Sequence, residues 1–81
     1  MNTPQAVSVR YAAGLLKRGW NNEFELINIA RNISVVEDIC VGNYYEAYVR
    51  SNVETQQIKG IGLTPMEAVI KALTKLGVTF R

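Results

Sequence analysis

The segment YYEAYVR places Tyr44, Tyr48 and Arg50 at even spacing, so an extended backbone would carry all three to one side. Aromatic rings beside a guanidinium can stack on bases or anchor a protein partner. Cross-strand packing uses the same residue types. A second constellation is basic: Arg10, Lys17, Arg18, Arg50 and Lys59. Arg10 and Lys17 lie seven residues apart and share a helical face, with Arg18 further round. Such residues hold phosphates, or simply solvate a surface. Gly60-Ile61-Gly62 stands before a helix start, where spaced glycines either cradle a phosphate or make a tight turn. The turn is the simpler reading. Glu37 and Asp38 are neighbours and would diverge in a strand, so they read as a solvated turn or edge and not as a metal or acid–base pair. Cys40, between Ile39 and Val41, reads as a small core residue before a reactive thiol, and Trp20, just past a helix, as a core plug before an exposed hot spot.

The chain has no histidine and one cysteine, which removes zinc sites of the usual type and Ser-His or Cys-His catalysis. No convergent acid–base or nucleophile set can be built. The expectation is a protein that is not an enzyme and uses no cofactor or metal. Its 81 residues make one domain, 1–81, with one modest core. Hydrophobic residues at 48% and charged residues at 20% fit a globular chain, not a disordered one. A net charge of +2 permits a polyanion partner without demanding one. No apolar run is long enough to span a bilayer, and the first residues lack a signal-peptide pattern. With a lone cysteine, this points to a reducing, cytoplasmic home and no membrane partner.

The elements that must position these residues are densely punctuated. Thr3-Pro4 reads as a helix start, followed by Val9, Ala12, Ala13 and Leu16 at helical spacing, with Lys17, Arg18 and Gly19 at the end. Val7, Val9 and Tyr11 also alternate like a strand. A second helix over 22–33 is expected from Asn22 as cap, Glu25 three residues on, and Leu26, Ile29, Ala30 and Ile33 on one face. A strand over FELINI is the rival. Residues 35–41 are strand formers, and Gly42-Asn43 reads as a two-residue hairpin turn. NYYEAYVRS and ETQQIKGIG complete three strands. Thr64-Pro65 then opens a last helix ending at Gly77, with a buried stripe of Met66, Val69, Ile70, Leu73 and Leu76. The expected class is α+β, a three-stranded antiparallel sheet packed against helices in the order α-α-β-β-β-α.

Residues 22–77, and above all YYEAYVRSNVETQQIKGIGLTPMEAVIKALTKLG, resemble a double-stranded-RNA-binding domain in element order. Gly60 and Gly62 precede the helix, and Ala68 and Ala72 stand where that family has small residues. The resemblance implies phosphate contacts from lysines at the start of the final helix. Thr64, Pro65, Met66 and Glu67 occupy that place here, with no basic residue before Lys71. The pairing of FELIN with LTPMEAVIKAL is also similar to small phage-encoded accessory proteins of helix-sheet-helix type, which implies regulation or inhibition of host machinery.

Two functional expectations follow. The first is a small non-enzymatic binding protein that regulates or inhibits another macromolecule through Tyr44, Tyr48 and Arg50, with homo-oligomerisation through its sheet or first helix allowed. The alternative is an RNA- or DNA-binding module that contacts the phosphate backbone through Arg10, Lys17, Arg18, Arg50 and Lys59.

Overall fold

A computed structural model of the chain describes residues 4–21 and 23–79. Its elements are α1 (Pro4–Arg18), β1 (Phe24–Val36), β2 (Ile39–Ser51), β3 (Gln57–Gly62) and α2 (Pro65–Lys75). The strands form one antiparallel sheet in the order β1-β2-β3. The fold is α+β as expected, but its order is α-β-β-β-α. The expected helix over 22–33 is a strand, and the proposed cap Asn22 falls outside the described residues, as does Thr3.

The reason lies in local hydrogen bonding and in a bulge. The Asn21 Oδ1 accepts from the amides of Glu23 and Phe24, each at 2.8 Å, and from the Tyr11 hydroxyl at 3.0 Å. Asn21, the residue before the proposed cap, thereby turns the chain into β1. The register slips between Leu26 and Asn28, leaving Ile27 as an extra residue. This bulge puts Leu26 and Ile29 on the same side of the sheet at a spacing that imitates a helix. Aromatic and β-branched residues favour the extended form once they can pack on the sheet.

The hairpin turn also sits elsewhere. Glu37 and Asp38 form it, with φ of 51° and 66°. Positive φ at both central residues is the left-handed geometry that matches the twist of paired strands. Gly42, at φ 151°, lies inside β2, where the register slips between the Ser34 and Val35 pairings. Its freedom serves a bulge and not a turn.

Both helices cover one side of the sheet. The core consists of Ala12 and Leu15 from α1, Phe24 from β1, Ala47 and Val49 from β2, and Ala68, Val69, Ala72 and Leu73 from α2. Tyr11 meets Phe24 edge to face, with centroids 6.1 Å apart. The buried stripe of α2 is rotated from the expected one. Ala68 and Ala72 face the sheet, while Met66, Ile70 and Leu76 pack at the rim. The cause is close approach. A Cβ at Gly60 would stand 2.2 Å from the Ala68 carbonyl oxygen, and one at Gly62 would stand 2.6 Å from the Ala68 amide. The glycines are therefore strand residues that admit a helix backbone, not a turn.

Thr64 caps α2 by accepting from the Glu67 amide at 3.1 Å. At the other end Gly77 has φ 101°, its amide bonds Thr74, and the Val78 amide bonds Leu73. That is a glycine-terminated helix stop with Val78 returned to the core. Among the described residues no helix is long and apolar enough to cross a membrane.

Candidate functional site

The side of the sheet away from the helices is uncovered by any described element. Register defines its three rows. In β2 it carries Tyr44, Glu46, Tyr48 and Arg50, because Ala47 and Val49 point into the core. Their β1 partners are Asn32, Ala30, Asn28 and Glu25, and β3 contributes Ile61, Lys59 and Gln57. Three of the residues anticipated to bind, Tyr44, Tyr48 and Arg50, thus share one face. Lys59 joins them, directly across from Tyr48.

The charges on this face are already matched. The Arg50 Nε and Nη2 both donate to Glu25 Oε2, at 3.1 and 2.8 Å. Lys59 Nζ lies 3.1 Å from Glu46 Oε2, and Asn32 Nδ2 donates to Glu46 Oε1 at 2.6 Å. The hydrogen bond to Glu46, reinforced by its charge, holds the Lys59 ammonium protonated beyond its ordinary value of 10.5. Tyr48 is half-buried between these two ion pairs, and Tyr44 is half-buried beside Asn32. A shallow open depression lies at the Arg50 end, lined by Glu25, Arg50 and the 51–55 turn.

The basic set is split. Arg10, Lys17 and Arg18 are exposed on α1, on the helix side of the sheet, whereas Arg50 and Lys59 occupy the opposite side and are paired. The five residues make no single patch. At the start of α2, Glu67 stands in the first turn, where its charge complements the helix dipole.

Other anticipated residues are placed differently. Trp20 is not a core plug, being 63% exposed. Its backbone bridges to Glu25 beside the start of β1, and the Tyr11–Phe24 contact fills the space beneath α1. Glu37 and Asp38, by contrast, sit exposed in the hairpin turn, in keeping with the solvated turn or edge expected of them. Among the described residues no three His, Cys, Asp or Glu side chains gather in a way that could hold a metal. The side chain of Cys40 lies outside the described residues.

One surface has no counterpart in the sequence reading. β3 pairs only with Tyr45–Arg50, so the far part of the β1–β2 hairpin is a two-stranded ribbon. Ile33, Val35, Val36 and Ile39 on it are all more than half exposed. The period-two spacing of NISVV was the available signal, but it appears only when 24–36 is taken as one strand.

Comparison with family models, with curated proteins and with solved structures gives no match. Geometry alone therefore carries the functional argument.

Proposed function

We propose that this chain is a small non-enzymatic binding domain that regulates or inhibits another protein, gripping it with the open face of the sheet. Tyr44 and Tyr48 supply the anchors, and Arg50 marks the edge of the contact. The carrying observation is that two half-buried tyrosines share a face whose ion pairs, Arg50–Glu25 and Lys59–Glu46, leave little unbalanced charge. A face of rings and internally matched charges suits a protein surface better than a polyanion. It also fits the phage-like accessory style of the sequence. Binding of this kind tolerates salt. Tyr44→Ala with Tyr48→Ala is expected to weaken capture of the partner from a nuclease-treated lysate at least tenfold. Undiminished capture removes these residues from the contact.

A nucleic-acid reading has one observation in its favour. α1 leads into three antiparallel strands and then α2, the element order of double-stranded-RNA-binding domains, and α1 exposes Arg10, Lys17 and Arg18. Glu67 at the entrance of α2 argues against it, because a negative charge there opposes an approaching phosphate. Retention on immobilised duplex RNA separates the two readings. A backbone binder loses about 0.7–0.9 log units of affinity per log unit of salt for each phosphate contacted. Arg10→Glu with Lys17→Glu would abolish that retention.

A further inference from the structure

We propose that a second copy of this chain pairs with the outer edge of β1, antiparallel across residues 28–36 and centred on Asn32, joining two three-stranded sheets into one of six. The inference is independent of which macromolecule the tyrosine face binds.

Three features of the far hairpin lead there. First, an isolated two-stranded ribbon is marginal in water, yet this one extends past the end of β3 with no helix packed on it among the described residues. Second, both of its sides are apolar. Ile33 and Val35 continue the helix-side row and Val36 and Ile39 the other, at 55%, 58%, 56% and 64% exposure. Each side thus leaves on the order of 200 Å² of apolar surface uncovered, smaller than the largest patch on an ordinary monomer but set on a thin ribbon. Third, β1 is an edge strand, and beyond the Trp20–Glu25 bridge its outer backbone groups have no strand neighbour among the described residues.

The edge is also poorly defended. Natural sheets blunt exposed edges with short strands, lysine, proline or bulges. The other edge, β3, is six residues long, carries Lys59 and has α2 packed beside it. β1 has 13 residues, and its bulge at Ile27 disrupts only the near end. From Asn28 to Val36 it contains no proline, glycine or lysine, and Arg31 is its single charge.

A second copy is the occupant that fits. Antiparallel pairing about Asn32 keeps each row on its own side. It sets Ile29 against Val35 of the second copy, Arg31 against Ile33, and Asn32 against Asn32. No like charges face each other directly. Edge pairing over residues 28–36 joins the two backbones and covers only the flanks of Ile29, Ile33, Val35 and Val36, on the order of several hundred Å² in total, the size of a weak, reversible contact. The contact is isologous, so it uses up both β1 edges and closes at a dimer.

The register makes a sharp test. Ile33→Lys would set lysine against Arg31 of the second copy, while Ile33→Glu would set a carboxylate there. Sedimentation equilibrium from about 1 μM to 1 mM should show a dimer for the parent chain. The dissociation constant should rise at least tenfold for Ile33→Lys and markedly less for Ile33→Glu. In the parent chain, alternate amides between 28 and 36 should exchange more slowly as concentration rises, a readout that needs no variant. Tyr44→Ala with Tyr48→Ala should leave self-association unchanged. A parent that stays monomeric at 1 mM overturns the proposal. So does equal weakening by lysine and glutamate, or concentration-dependent protection that falls on β3 or α1 instead.

Discussion

The β1–β2 hairpin is two different objects along its length. At the near end, Phe24, Ala47 and Val49 are buried beneath Leu15, Val69 and Leu73, and β3 pairs with the outer side of β2. At the far end the same strands carry equally apolar residues with no described element over them. Composition does not separate the two ends. What differs is whether a helix and a third strand arrive, and that is set by β3 spanning only Gln57–Gly62 and by where Gly60 and Gly62 let α2 settle. Burial at one end stabilises the fold, and exposure at the other makes a surface available for association.

Substitutions can break this contrast or sharpen it. The largest effect is expected at the helix–strand contact. Gly60→Ala forces a methyl into the Ala68 and Ala72 backbone and should destabilise by about 3 kcal/mol or more in urea unfolding. Gly14→Ala, with nothing within 4 Å, should instead stabilise α1 by about 0.5–1 kcal/mol. Next come side-chain deletions. Leu73→Ala should cost about 2–5 kcal/mol, whereas Ile39→Ala on the ribbon should stay within about 0.5 kcal/mol in dilute monomer. Comparable losses at both positions would erase the distinction between the two ends.

A third prediction concerns the start of β1. Asn21→Ala leaves the Glu23 and Phe24 amides without their acceptor and should cost about 1–3 kcal/mol. Tyr11→Phe removes only the hydroxyl bond to Asn21, at about 1 kcal/mol. It should also change the alkaline limb. Burial, with the charge of Glu23, pushes the Tyr11 phenol above its ordinary 10.0, so the unfolded chain loses that proton first. The contribution is fully present below pH 10 and falls as pH rises from there through the folded value. Melting temperature against pH should flatten in this range for Tyr11→Phe. At the turn the expected effect is a gain. Glu37→Asn with Asp38→Gly relieves two left-handed residues and should raise stability by about 1–2 kcal/mol without altering the ribbon's exposure.

Much of the outline was legible in the residues. The Pro4–Arg18 and Pro65–Lys75 helices follow from proline-led starts and glycine stops. The face of Tyr44, Tyr48 and Arg50 follows from alternation alone. The misread stretch, 22–33, was ambiguous for a definite reason. One bulged residue shifts an alternating pattern by one, and two alternating runs joined by that shift look helical. The turn was misplaced because Gly42-Asn43 carries a stronger local signal than Glu37-Asp38, a pair that adopts positive φ only when both flanking strands impose it.

Residue types and their spacing, then, determined the terminal helices, the existence of a sheet, the identity of its tyrosine face, and the lack of histidine chemistry. Only the tertiary structure decided which apolar residues are covered, that the two glycines of β3 receive α2, and that the basic residues fall on opposite sides. Periodicity reports which side a residue faces within its own element. Whether another element comes to cover that side depends on contacts between segments far apart in the chain, which local pattern does not encode.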